Sequence, residues 1–361
     1  MWNKITGASQ EGIRTLFPGY FALVMATGIV SIAAHLLKME TVAQVLFQLN
    51  KVAYVILWLL YLARLLFFSR KLAADLIDHA RGPGFFTMIA GTCVLGTQFM
   101  TLAGDRTTAL VLWSLGFGLW HILIYAFFTA ATVKETKPPL EAGINGAWLI
   151  AVVATQSVSI LGTLLAPGLG AWKETVLFYT LSMYVLGGML YILIMALIFY
   201  RFLFFRLEAK QLTPPYWIGM GAVAITTLAG DTLILNAGQW GFLGELLPFL
   251  KGFNIFFWAT ATWWIPLLVI LGVWRHIYKR YPLSYDPQYW GLVFPLGMYT
   301  TCTFQLAKAL EIPFLLAIPQ YFVYIALGAW LATFAGLIYR LVSGLILTPL
   351  HADSGEPAHP A

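Results

Sequence analysis

Six histidines, His35, His79, His121, His276, His351 and His359, are the strongest metal and haem donors in the chain, and no two share an apolar segment. Without a pair at helical spacing, no single helix face can hold a metal or a haem. His121 reads as a packed, hydrogen-bonded histidine ahead of a proton relay. Cys93 and Cys302 both lie inside apolar runs, which suggests neither a disulfide framework nor a thiolate metal site. No zinc-protease, phosphate-loop or nucleophile-elbow motif occurs. Catalysis is disfavoured, and the sequence asks for no cofactor and no metal.

Carboxylates and hydroxyls are the remaining chemistry. A proton- or sodium-coupled carrier usually has a carboxylate at mid-membrane, and Asp231, with Asp105 as a weaker second, is the candidate. Both close a Thr-Leu-Ala-Gly-Asp run, at 101–105 and 227–231. The competing reading places both at helix ends near an outer vestibule. Thr27, Thr92, Thr155, Thr226 or Thr227, and Thr300 or Thr301 occupy comparable depths in five segments. Each follows by about six residues a position filled by Phe21, Phe86, Leu149, Met220 or Phe294. Two readings of this row stand side by side: pore-lining hydroxyls, or threonines bonded back to their own helix. No arginine is expected at mid-membrane, so a permeant anion would rely on backbone N–H groups, helix ends and hydroxyls.

The stretch Tyr289–Leu310 joins several of these features. Pro295 cannot donate to the Gly291 carbonyl, so a helix here is expected to kink. Broken backbone at membrane depth is tolerated only under protein or against a water-filled cavity. Thr300, Thr301, Thr303 and Gln305 follow, and the bulky Phe294 precedes. The segment reads as a pore wall with a plug beside it, although most phenylalanines are core residues.

Elements of matching length must carry these residues. The chain has 361 residues, 60% hydrophobic and 10% charged, against about 25% charged in soluble domains. It is read as an all-α integral membrane protein. Spans of the ~20 residues a bilayer demands fall at 17–37, 50–69, 84–104, 108–133, 145–165, 174–205, 216–236, 246–274, 289–308 and 313–340. They form a membrane domain over 17–341, between a segment 1–16 and a tail 342–361 whose end, His351–Ala361, is expected to be disordered. With the N-terminus inside, fifteen Lys and Arg lie on that side and six opposite, which predicts both termini in the cytoplasm of a cell with this protein in its inner (plasma) membrane. The net charge of +6 belongs to those loops, and nucleic acid is not an expected partner.

Odd spans are rich in Gly, Ala, Ser and Thr, as close-packed or cavity-lining helices are; even spans are aliphatic and aromatic, suited to lipid. Met25–Ile32 (MATGIVSI) matches Val153–Ile160 (VATQSVSI), and the two Thr-Leu-Ala-Gly-Asp runs match each other. Both pairs are odd with odd. The expected architecture is ten transmembrane helices as five parallel hairpin repeats, the odd helices forming an inner pore ring and the even helices an outer one.

Three stretches, Phe17–Ser31 (FPGYFALVMATGIVS), Pro214–Thr226 (PPYWIGMGAVAIT) and Trp290–Thr300 (WGLVFPLGMYT), resemble the tellurite-resistance/C4-dicarboxylate transporter family, which includes malic acid and sulfite transporters and plant slow anion channels. The resemblance spans roughly residues 17–340. It implies a central pore in each subunit of a homotrimer, small inorganic or carboxylate anions as the moving partners, and a ninth-helix phenylalanine as occluding gate, here Phe294. The pore-lining set then comprises Phe21, Thr27, Phe86, Thr92, Thr155, Thr226, Thr227, Pro295, Thr300 and Thr301. One rival is a proton-coupled carrier for malate-like dicarboxylates, or for sulfite or tellurite efflux, using Asp231. Another is a membrane receptor or assembly subunit that transports nothing.

Overall fold

A computed structural model describes residues 10–347, the last four by backbone alone. Ten principal helices follow in order: α1 (Ala22–Leu36), α2 (Glu40–Leu76), α3 (Phe86–Leu102), α4 (Arg106–Val133), α5 (Ile150–Leu165), α6 (Lys173–Phe204), α7 (Ile218–Leu235), α8 (Leu247–Val273), α9 (Trp290–Ala309) and α10 (Ala317–Leu347). Eight are long and apolar enough to cross a membrane, and α1 is a shorter apolar helix. The protein is an all-helical integral membrane protein. In α9 three threonines, Gln305 and Pro295 dilute the apolar residues, which is why hydropathy alone undervalues it.

Burial separates the helices into two kinds. The apolar stretches containing α5 and α7 are 94% buried, those of α2 and α8 only 17% and 22%. Residues enclosed on every side must be small enough for backbones to approach, whereas lipid accepts any large apolar side chain. Helix α1 packs on α3, α3 on α5, α5 on α7, α7 on α9 and α9 back on α1, a closed cycle of contacts. Each even-numbered helix packs on its predecessor.

All five odd helices begin alike, through a tight turn: residues 18–21, Gly82–Phe85, Gly146–Leu149, Pro214–Trp217 and Pro287–Tyr289. Proline in a first turn loses no hydrogen bond, because the first N–H groups have no acceptor within the helix. Glycine matters where two such turns meet: a Cβ on Gly146 would overlap the Pro215 carbonyl.

The match between Met25–Ile32 and Val153–Ile160 has a structural counterpart. Thr27 accepts from the Trp330 indole of α10 and Thr155 from the Trp120 indole of α4, both at 2.9 Å. Ser31 donates to the Ala43 carbonyl of α2 and Ser159 to the Thr180 carbonyl of α6, both at 2.7 Å. Matched residues thus tie each odd helix to the even helices on its two sides. The Thr-Leu-Ala-Gly-Asp match has no such counterpart. Thr101 sits at the end of α3 and Asp105 is the N-cap of α4, whereas Thr227 and Asp231 lie inside α7.

Three boundaries differ from the sequence expectation. Helix α2 starts at Glu40 instead of residue 50, because its polar residues find partners: Asn50 donates to Gln98 at 2.6 Å, and the Lys51 ammonium lies 4.6 Å from the Phe47 ring centre. It also runs on to Leu76 through a break at Phe68 (φ −136°, ψ 36°). There the buried Arg64 pairs with Asp75 at 2.6 Å, and Asp75 also holds Arg81 at 2.8 Å. Helix α10 continues to Leu347. The rest of the tail, including His351–Ala361, and residues 1–9 of the N-terminal segment lie outside the described residues.

Candidate functional site

Two cavities open between the five odd helices. The larger, about 390 Å³, lies at their N-terminal ends and is lined from all five, by Met25, Thr87, Ile150, Ile218 and Gly291 among others. The smaller, about 70 Å³, lies further along the same helices and is also lined from all five, by Ile29, Val94, Ser157, Ile225 and Met298 among others. Side chains three or four apart share a helix face. On α9 the face reads Gly291, then Met298, Thr301 and Gln305. Phe294 falls on that face three residues after Gly291 and four before Met298, between the cavities, and is fully buried. The corresponding intervals of the neighbouring helices hold Ala90 and Gly91, Val153 and Ala154, and Gly221 and Ala222.

Pro295 stands beside Phe294 without breaking the helix. No residue inside α9 leaves helical φ/ψ, so the expected break of the backbone does not occur. The proline lies near the start of the helix, where only the carbonyl of flexible Gly291 faces its ring. Its side chain is turned to α7: a Cβ on Gly221 would stand 2.7 Å from Pro295 Cγ. On the other flank, a Cβ on Gly297 would stand 2.9 Å from Val30 Cγ2 of α1. The two glycines let α9 sit close to both neighbours.

The threonine row is bonded mainly within its own helices. Thr92, Thr155, Thr226, Thr227, Thr300 and Thr301 each donate back to the carbonyl four residues earlier, at 2.6–3.0 Å. Thr27 and Thr155 receive the indoles of outer helices, and Thr92 pairs with the Tyr54 hydroxyl of α2 at 3.1 Å. Phe21 packs edge-on against Tyr54, Trp58 and Tyr61 of α2, and Phe86 against Phe127 of α4. Phe21, Thr27, Phe86, Thr92 and Thr155 thus touch even-numbered helices, and none of the five lines either cavity. Of the row, Thr301 lines the second cavity.

Asp231 is fully buried, and its Oδ1 accepts from Asn254 Nδ2 of α8 at 2.6 Å. Asn254 also donates to the Thr227 carbonyl and accepts from the Tyr184 hydroxyl of α6. The helix-end reading of Asp231 is thereby corrected: the shared motif does not fix depth, because the two runs stand in different registers of their helices. Asp231 lines neither cavity. Asp105 is a helix-end residue. Its bonds from the Thr108 hydroxyl and then the Thr108 backbone N–H hold its carboxyl below the usual range. His121 Nδ1 bonds the Phe117 carbonyl at 2.9 Å, beside Trp120 and Tyr179.

Sequence reasoning missed the charge at the first cavity. Arg201, near the end of α6, lines it and is only 5% exposed. Its Nε donates to the Glu141 carbonyl at 2.9 Å and its Nη1 to the Tyr216 hydroxyl. Among the described residues no carboxylate lies within ion-pair distance of it, whereas Arg81, also on the lining, shares the single carboxylate of Asp75 with Arg64. The signal was present as one arginine inside the run Leu197–Phe205 (LIFYRFLFF). The five helix N-termini around the same cavity add partial positive charge. The lining also carries Glu141, but among the described residues it makes no ion pair with Arg201, so the guanidinium and the helix ends leave a concave place where a small anion can be received.

Comparison with known proteins agrees. The family model described as voltage-dependent anion channel, SLAC1, matches residues 15–338. The chain belongs to this family. It is the family that the three sequence stretches resemble, and its members include transporters. An uncharacterised transporter of Methanocaldococcus jannaschii is 27% identical, covering 82% of this chain and 85% of that protein. The sulfite efflux pump of Trichophyton rubrum is 25% identical, covering 91% of each. An uncharacterised membrane protein of Mycobacterium tuberculosis is 36% identical over 47% of this chain and 83% of its own length.

Proposed function

We propose that this SLAC1-family chain moves small inorganic or carboxylate anions through a pore bounded by α1, α3, α5, α7 and α9. The five odd helices form an inner ring, the even ones an outer ring, and the whole is five parallel hairpins. The contact cycle and the paired threonine and serine bonds support this arrangement. Phe294 closes the pore at rest. The position of its ring between the two cavities, on the face that lines both, carries the reading.

The mechanism follows from the residues on the path. An anion enters the first cavity, drawn by Arg201 and by the helix N-termini, and loses part of its hydration there. It meets the Phe294 ring between the two cavities, and a movement of α9 or a turn of the side chain displaces that ring. Beyond it Thr301 lines the second cavity, where its hydroxyl can swing from the Gly297 carbonyl to donate to the anion, while Pro295, wedged against Gly221, sets the ring's position. Thr27, Thr92 and Thr155 hold the rings of helices together. The charge bias supports cytoplasmic termini in an inner (plasma) membrane, with the Arg201 cavity on the cytoplasmic side; a homotrimer follows the family resemblance.

Phe294→Ala is expected to raise chloride and nitrate flux in proteoliposomes several-fold while the protein stays folded and keeps its oligomeric state. Unchanged flux in a folded variant removes the gate assignment. The sulfite efflux pump among the relatives favours one second reading, export of sulfite against a gradient. Accumulation of sulfite driven by an imposed pH gradient would establish it.

A further inference from the structure

A third cavity, about 200 Å³, lies outside the space between the odd helices. Its lining combines leucines (Leu268, Leu271, Leu292) with Arg275, His276 and Tyr289. Arg275 is the second residue of a single π-turn, Trp274–Tyr278, that continues α8; such one-turn bulges are frequent at functional sites. The side chain is 8% exposed, its Nε has no hydrogen-bond partner, and among the described residues no carboxylate lies within ion-pair distance of it. Tyr281 folds back to place its ring centre 4.4 Å from the guanidinium carbon and its carbonyl 2.9 Å from His276 Nδ1. Arg280, at φ 52°, makes that reversal. The nearest acid in the loop, Asp286, is occupied in capping the Gln288 N–H at 2.8 Å.

We infer that this cavity binds the headgroup of an anionic phospholipid, its phosphate on Arg275 and its first carbons on the leucines. A buried guanidinium without a counter-ion calls for a bound anion, and the leucine floor calls for an apolar extension of that anion. Val269, Ile270, Val273 and Ile277 on the same helix end are exposed large apolar residues, as a lipid-facing surface requires. Lys279 and Arg280 add positive charge at the rim, and basic clusters at this level attract anionic headgroups. The occupant would also touch the start of the proposed gate helix, since Tyr289 and Leu292 stand five and two residues before Phe294.

The test is native mass spectrometry of the full-length protein with phosphatidylglycerol, phosphatidylethanolamine or phosphatidylcholine, beside thermal unfolding in inorganic phosphate. Phosphatidylglycerol should be retained preferentially. Arg275→Gln should lower that retention about fivefold, the value of one cation near a membrane surface, and Arg275→Lys should keep most of it. Inorganic phosphate alone should not shift unfolding. Equal retention of phosphatidylcholine, or no loss in folded Arg275→Gln, would overturn the site. Stabilisation by phosphate equal to that by phosphatidylglycerol would make the ligand a free anion, and loss of the oligomer in Arg275→Gln without loss of lipid would make it a second copy of the chain. Because the readout is binding, the inference stands or falls separately from the transport reading.

Discussion

The guanidinium of Arg201 has a carbonyl and a phenol for partners and faces a cavity ringed by five helix N-termini. Taking a cation out of water without a fixed anion is costly, so the arrangement is most stable when a mobile anion is nearby. Arg201→Gln should therefore reduce anion flux by about tenfold at low ionic strength, the lower end of what focusing by one charged cleft supplies. Arg201→Lys should keep most of the flux, because the charge remains although the fork geometry does not. The deficit of the Gln variant should shrink at high salt, where screening shortens the reach of the charge. A deficit independent of salt would place the effect of Arg201 in packing. The measurement is the initial rate of chloride or nitrate efflux from liposomes at two ionic strengths. Thr155 supplies the contrast: its hydroxyl is shared by Trp120 and the Ala151 carbonyl, so it belongs to the walls and not to the path.

At the scale of elements, α9 is held between two glycine contacts, and its position sets where the Phe294 ring stands. A methyl at Gly221 would meet the rigid Pro295 ring at 2.7 Å, and a proline cannot move a side chain aside without moving its backbone. Gly221→Ala should cost about 1–3 kcal/mol, the usual range for overpacking, seen as a lower unfolding temperature in detergent. If Phe294 gates the pore as proposed, the substitution should also change flux, since the shift passes directly to Pro295, the next residue. An unchanged unfolding temperature would show that α9 has slack. Elements of this kind were legible in the sequence: a bilayer imposes a length and an apolar content, and eight of the ten helices answer to it on those grounds alone. The start of α2 was not, because Gln98 and the aromatic rings of Phe47 and Phe99 make a polar helix start acceptable. Azimuth was not legible either. Hydropathy reports depth, and threonine occurs both on faces bonded to an outer tryptophan and, at Thr301, on a cavity face. Phe294 could be read because a resemblance singled it out; Met25 at the first cavity carried no comparable signal.

For the whole molecule the open choice is between passive conduction and coupled transport, and Asp231 decides it. A coupling carboxylate must reach both the substrate path and a source of protons. Asp231 is instead enclosed by α7, α8 and α6, with Oδ1 on Asn254, Oδ2 unpartnered and neither cavity within its lining reach. The carboxylate, Asn254 and the Tyr184 hydroxyl form a short polar chain between an inner helix and two outer ones, which is a place for holding rings together. Asp231→Asn keeps the shape and most of the hydrogen-bonding capacity of that chain. Anion flux in the variant should stay within about twofold of the unsubstituted protein, since the Asn oxygen can still accept from Asn254 and the site lines neither cavity. Imposing a pH gradient across the liposome should change neither protein's flux beyond the change in anion charge itself. Uphill accumulation of an anion that is lost in Asp231→Asn would make the molecule a coupled carrier, with Phe294 part of its cycle instead of a gate on a passive path.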